Sequence, residues 1–157
     1  MPGIVDPQLA PLDIAVVGSG LGGLSAAIAL RRGGHRVTIY ERYDFGGEVG
    51  ASLSCASNGS RFLEEWGIDV SKAKPVVLRD LIRHEWSTGD VFGVYPLGDY
   101  KERFGTEYNN FHRIDLHQHL KHVATSEEGD GIPATLKVWY KATGLDPIEG
   151  KISFENG

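Results

Sequence analysis

The chain is poor in cysteine, in clustered cations and in long apolar runs, and each shortage removes a class of function. Its 157 residues include one cysteine, Cys55, so no internal disulfide can form. That fits a reducing compartment, and a cytoplasmic location is expected. Sixteen Lys and Arg stand against 21 Asp and Glu, a net charge of -5. The cations are scattered, whereas a phosphate backbone is bound by clustered ones, so no nucleic-acid partner is expected. No apolar run approaches the roughly 20 residues that cross a bilayer. Residues 1–11 lack the basic start and apolar core of a signal peptide, so no membrane partner is expected either. Pro2, Pro7 and Pro11 give residues 1–12 the look of an extended arm. The hydrophobic fraction of 41% is enough for a packed core, and the length suits one domain.

Glycine is in excess, with 21 residues. They cluster at 18–23 and 46–50, which suggests close backbone approach to a ligand. Residues 14–17, Ile-Ala-Val-Val, read as a strand buried on both faces. A glycine-rich turn follows at once. Leu21, Leu24, Ala27, Ile28 and Leu30 then predict a helix to about Arg32, stopped at Gly33-Gly34. Residues 36–40 predict the next strand, which delivers Glu41.

Further along, residues 60–66 predict a second helix with Phe62, Leu63 and Trp66 on one face. Residues 76–86 and 91–95 predict a hairpin about the turn 87–90. Residues 99–110 read as polar loop. A third helix is predicted from Asp115, where Asp115 and Gln118 have capping-box spacing and Leu116, Leu120, Val123 and Ala124 form a buried stripe. Residues 135–143 and 151–154 read as a last antiparallel pair about 146–150.

The turn Gly18-Ser19-Gly20-Leu21-Gly22-Gly23 satisfies G-x-G-x-x-G in its required place, between a strand and a helix. Gly18 permits the tight turn, Gly20 lets backbone approach a pyrophosphate, and Gly23 lets the helix pack closely. The helix start offers N–H groups and a positive dipole end to phosphates. Glu41 can accept both ribose hydroxyls of an adenosine and would repel a 2′-phosphate. The unit by itself does not separate FAD from NAD.

The residues that follow it do. Glu41-Arg42 precedes Glu48-Val49-Gly50-Ala51, then Asn58, Arg61-Phe62-Leu63 and Trp66-Gly67, and later His112-Arg113-Ile114-Asp115-Leu116-His117 with Leu120. This order resembles the FAD-dependent monooxygenases of the salicylate hydroxylase type, within the para-hydroxybenzoate hydroxylase group, from about Asp13 to the last residue. The resemblance implies an α/β fold: a Rossmann-like FAD-binding βαβ unit with additional antiparallel strands, an incomplete FAD/NAD(P)-binding domain over 13–157. It implies FAD as cofactor, with Gly18, Gly20, Leu21, Gly22 and Gly23 in its phosphate turn. Glu41 would hold the adenosine ribose, with Arg42 beside the adenine. Val49, Gly50 and Ala51 would line the ribityl or flavin end, Arg113 would reach the cofactor, and backbone at Ala142 would pass the adenine. A guanidinium suits Arg113's role, since it offers planar, multiple donors. A surface ion pair with Asp115 is the plainer reading of Arg113. Ser57 stands where family members often have Pro, and Gly59 follows Asn58, so a loose loop is expected there.

The resemblance also implies that complete members are more than twice as long. Later Gly-Asp motifs and most of the substrate-covering sheet would lie beyond residue 157. Three expectations follow: an open sheet edge at 14–17 able to self-associate, weakened FAD affinity, and little or no hydroxylation by this chain alone, so that whether it is an enzyme by itself stays open. In an intact enzyme, NAD(P)H would be the co-substrate and a small aromatic compound the substrate. A non-catalytic nucleotide-binding or interaction module derived from that fold is the alternative. A plain NAD-dependent dehydrogenase domain would not require the residues at 48–51 and 112–117.

Other constellations carry less. His112, His117, His119 and His122 lack a third convergent ligand and read as a polar helix face, so no metal is expected. Trp66, Trp86 and Trp139 read as packing residues. Cys55 has no neighbouring cation to activate it, no nucleophile elbow is present, and no catalytic residue is assigned.

Overall fold

The computed structural model describes residues 10–44 and 50–155. In chain order the elements are β1 (Asp13–Val17), α1 (Leu21–Arg32), β2 (Arg36–Tyr40), β3 (Ser52–Cys55), α2 (Ser57–Glu65), β4 (Val76–Val77), β5 (Asp80–His84), β6 (Val91–Pro96), α3 (Tyr100–Phe104), β7 (Asn109–His112), α4 (Arg113–Thr125), β8 (Thr135–Lys137), β9 (Ala142–Asp146) and β10 (Lys151–Phe154). A 3₁₀ turn covers Val70–Ala73. The chain divides into two compact units, Met1–Val49 with His117–Gly157, and Gly50–Leu116; the division falls within α4. Residues 1–9 of the expected arm, and Gly46 and Gly47 of the second glycine cluster, lie outside the described residues.

The first unit is built on a parallel sheet of order β1-β2-β8, in which Val17 pairs with Tyr40 and Tyr40 with Lys137. Helix α1 is the crossover between β1 and β2. It buries Leu24, Ala27 and Ile28, and the β2 residues Val37 and Ile39 are buried as well. Leu120 and Ala124 of α4 and Ala134 before β8 are also core. Gly34, with φ +85°, turns the chain out of α1, as expected of a left-handed helix stop.

Strand β1 differs from its reading as a strand buried on both faces. Its residues alternate between exposed and half-buried, and Val17 is 55% exposed. Among the described residues it has one neighbour, β2, so its far side carries no strand to cover it. The last antiparallel pair is also redrawn. β9 pairs with β10 as expected, but residues 135–137 form a separate parallel strand on β2. Trp139, at φ +65°, separates the two, and a left-handed residue there breaks the continuous strand that the apolar pattern suggested.

Arg31, at the end of α1, is fully buried. Its guanidinium donates to the carbonyls of Val123 (2.5 Å), Ala124 (3.1 Å), Ser126 (3.0 Å), Gly129 (3.0 Å) and Gly131 (2.7 Å). The last turn of α4 leaves such carbonyls without helical partners, and a cation beside them also suits the helix dipole.

The second unit carries the antiparallel sheet β3-β7-β4 and the hairpin β5-β6. The hairpin matches the expected pair over β5 and β6, but Val76–Val77, expected in the same first strand, pairs with β7 instead. Residues expected as loop fold instead into α3 and β7. Tyr100 of α3 is buried, and its hydroxyl accepts from the Ser57 N–H at 3.2 Å and donates to Ser57 Oγ at 3.3 Å. Residues 57–59 are the first turn of α2, not a loose loop, with the Gly59 N–H donating to Ala56 O at 2.9 Å. Helix α4 begins at Arg113, so Asp115 sits in the first turn rather than at a cap. There it pairs with Lys74 at 3.5 Å, and its charge suits the helix N-terminus.

Two groups of side chains depart from their expected surroundings. His117 and His119 are buried, 1% and 9% exposed, so the histidine segment is not a polar face throughout. Among the described residues no group of three or more His, Cys, Asp and Glu could hold a metal ion. Trp86 and Trp139 are 93% and 60% exposed rather than packed in a core, because Trp86 sits at a hairpin end and Trp139 in the turn before β9. Trp66 is half-buried with Phe62 beside it, ring centroids 5.9 Å apart. No helix among the described residues is long and apolar enough to cross a membrane.

Candidate functional site

The glycine turn leaves β1 at Gly18, whose φ of +92° excludes most side chains at little gain. The Gly18 N–H donates to Tyr40 O at 2.8 Å, tying the turn to the end of β2. Gly23 lies directly beneath it: a Cβ there would stand 1.9 Å from the Gly18 carbonyl oxygen. The close helix packing assigned to Gly23 from sequence is therefore present. At Gly20 and Gly22 an added Cβ would meet nothing within 4 Å. Gly20 is the N-cap of α1, in extended conformation, with no side-chain cap, and the first turn, from Leu21, holds no acidic residue. The positive end of α1 is thus left open to an anion.

Glu41 follows β2 and faces this turn. Its Oε2 accepts from the Ser19 N–H at 2.8 Å and from the Ser19 hydroxyl at 2.9 Å, and Oε1 accepts from the Tyr43 N–H at 3.1 Å. Its own N–H donates to Lys137 O and its carbonyl accepts from the Tyr140 N–H, each at 2.8 Å. Partial burial pushes the Glu41 carboxyl up and is the largest single influence. The donors from Ser19, Tyr43 and Arg42 together outweigh it and hold the carboxyl below the ordinary glutamate range. The group is therefore ionised at neutral pH, and an ionised carboxylate acts only as an acceptor.

Beside Glu41 a cavity of about 480 Å³ is lined by Gly18, Glu41, Arg42, Tyr43, Tyr140 and Ala142, among others, a size within the usual range for small-ligand sites. Tyr40, Tyr140 and Phe154 form its aromatic support, with centroid separations of 4.7 to 5.5 Å. The first unit thus brings together Gly18 to Gly23, Glu41, Arg42 and Ala142. The second unit brings together Gly50, Ala51 and Arg113: the Arg113 N–H donates to Ala51 O at 2.9 Å. Gly50 packs under the His112 imidazole, where a Cβ would stand 2.3 Å from Nε2. Asp115, the alternative partner of Arg113, lies 4.0 Å from His112 Nδ1 as well as near Lys74. Val49 lies outside the described residues.

Sequence reasoning missed Ser19 and His117. Ser19 is fully buried, and its carbonyl accepts from His117 Nε2 at 2.7 Å. The spacing of His117 from Leu120 and Ala124 places it on the buried face of α4, a signal that could have found its burial but not its partner.

This arrangement of strand, glycine turn, helix and acid-ended strand is a Rossmann-like dinucleotide-binding fold. A family model described as FAD dependent oxidoreductase matches residues 13–129, and the chain belongs to that family. It is 38% identical over 146 residues to hispidin-3-hydroxylase of Neonothopanus nambi, a match covering 93% of this chain and 34% of that protein. It is 34% identical to 3-hydroxybenzoate 6-hydroxylase of Polaromonas naphthalenivorans (strain CJ2), covering 71% of this chain and 28% of that protein. The resemblance to flavin-dependent aromatic hydroxylases therefore holds, and the chain spans about a third of the length of these relatives. Two solved structures share the fold. One is Klebsiella pneumoniae HpxO complexed with FAD and uric acid (TM-score 0.68, 21% identity, 92% of this chain and 37% of that one). The other is a mutant of 2-methyl-3-hydroxypyridine-5-carboxylic acid oxygenase (TM-score 0.72, 23% identity, 95% and 36%).

Proposed function

We propose that this chain is the FAD-binding portion of a flavin-dependent monooxygenase, and that its first unit holds the adenosine diphosphate end of the cofactor. The observation that carries the reading is the ionised Glu41 set beside the uncapped start of α1. The residues fit the group. The backbone at Gly20 opens onto free space, where a pyrophosphate can approach N–H groups. Glu41 accepts the ribose hydroxyls, and the cavity at Arg42, Tyr43 and Ala142 takes the adenine. Leu21 and Gly22 supply the first helical turn, and Gly23 holds it against Gly18. Val49, Gly50, Ala51 and Arg113 are proposed as further cofactor contacts on the strength of the family resemblance. Bound FAD, reduced by NAD(P)H, would supply the chemistry that lets O₂ hydroxylate a small aromatic compound. No residue of this chain is assigned a catalytic role, and the chain alone is expected to turn over no substrate. The family match does not favour the non-catalytic alternative. A cytoplasmic location is proposed from the single cysteine.

Glu41→Gln tests the reading. The variant exchanges charged hydrogen bonds for neutral ones and is expected to weaken ADP binding about tenfold by calorimetry. Unchanged affinity would remove Glu41 from the site. The pH dependence has a definite sign. Because the folded Glu41 pKa is depressed, its contribution to stability is complete above the unfolded value of about 4.3 and is lost as pH falls through the folded value. Urea midpoints of wild type and Glu41→Gln should therefore converge in acid and separate at neutral pH.

The open side of β1 is proposed as a self-association edge, supported by the exposure of Val17. Sedimentation velocity should show an average mass that rises with concentration, and a monomer at every concentration would remove the idea.

A further inference from the structure

We propose that His117 is a positioning residue for the phosphate turn, and that it sets the direction of the Gly20 N–H. The inference rests on the reading of the turn as a dinucleotide site and adds a residue to it.

The Ser19 peptide units are held from two sides. The Ser19 N–H donates to Glu41 Oε2 at 2.8 Å. The Ser19 carbonyl accepts from His117 Nε2 at 2.7 Å, in a buried contact. A carbonyl only accepts, so Nε2 carries the proton. No peptide bond described is cis. In a trans peptide the C=O and the next N–H point in opposite directions, so fixing Ser19 O on His117 turns the Gly20 N–H away from His117.

The turn does not enforce this direction by itself. Rotating the Ser19–Gly20 peptide changes ψ of Ser19 and φ of Gly20, and Gly20 accepts either sign of φ. A Cβ added at Gly20 would also meet nothing within 4 Å. The freedom that lets Gly20 approach a phosphate therefore also lets its N–H turn the wrong way. His117 removes that freedom. It is suited to the task because α4 holds it rigidly, between Leu116 and Leu120 of the buried stripe, at 1% exposure.

Four proteins test this: the full chain and its His117→Gln, His117→Asn and His117→Leu variants. The Gln amide nitrogen reaches the place of Nε2, whereas the Asn amide reaches only that of Nδ1. ADP and adenosine are titrated into each by calorimetry. In the Asn and Leu variants ADP affinity is expected to fall about tenfold, with adenosine within about twofold, because Glu41 and the cavity still hold the nucleoside. Gln is expected to restore ADP binding to within about threefold of wild type. Unchanged ADP affinity in both Asn and Leu, or equal losses for ADP and adenosine, overturns the proposal. Amide exchange without nucleotide separates this from the parent reading. Faster exchange at residues 20–24 in the Asn variant, but not in Gln, supports the lock even if wild type binds neither nucleotide. Equal exchange in wild type, Asn and Gln overturns the lock itself.

Discussion

Gly23→Ala is expected to destabilise the protein by about 3 kcal/mol or more, one of the two largest single effects the structure implies. A Gly to Ala change within a helix stabilises by up to about 1 kcal/mol through helix propensity, and Gly23 stands in the first turn of α1. Here the new Cβ would stand 1.9 Å from Gly18 O and 3.0 Å from Gly18 C. Both are backbone atoms of a turn tied to Tyr40 O, so neither can swing aside, and the overlap outweighs the propensity gain. The thermal midpoint should fall by roughly 6–12 °C, and ADP binding should weaken with it because the turn must shift. Gly50→Ala is the control. Its Cβ would also overlap an atom, at 2.3 Å, but that atom is the far end of a His112 side chain about half exposed. The ring can rotate away, and a change within about 1 kcal/mol is expected. Similar losses in both variants, read by urea denaturation, would refute the distinction.

Arg31→Met should cost about 3–5 kcal/mol, lowering the midpoint by roughly 6–20 °C. The substitution keeps most of the apolar stem but strips the cation from five carbonyls that lie between the end of α4 and Gly131. Each bond to a charged donor contributes on the order of 1.5–3 kcal/mol. Part of this returns when partly buried carbonyls reach water, so the sum is not the expected loss. The loop closes tightly on this side chain: a Cβ at Gly131 would lie 2.0 Å from Arg31 O. Amide exchange across 123–131 should rise most. A loss below about 1 kcal/mol would mean that the guanidinium is no more than a surface ion pair.

The elements that set the site were legible because they are local. The strand, turn, helix and strand over residues 13–40, the glycine at 23 and the acid at 41 each follow from a short pattern whose physical cause lies within a few residues. The same holds for the hairpin about 87–90. What stayed hidden depends on partners distant in sequence. From sequence Arg31 is only part of the helix predicted to about Arg32, yet its acceptors lie 92 to 100 positions away. His117 looked like one of a polar group of histidines until its partner Ser19, 98 positions away, gave its burial a reason. Strand β8 was merged with β9 because the apolar pattern runs on through both, and the break is a backbone event at Trp139 with little composition signal. Ile14 to Val17 read as doubly buried because apolar β-branched residues report what a strand would cover, not whether a neighbour is present.

The central claim is that the first unit holds the adenosine diphosphate end of FAD. Titrating ADP into the isotope-labelled protein and following backbone amide shifts tests it most directly. Saturable shifts concentrated at residues 17–23, 41–43 and 140–142, displaced by FAD, are the expected result. Absence of binding, or shifts centred away from the glycine turn and Glu41, would contradict it.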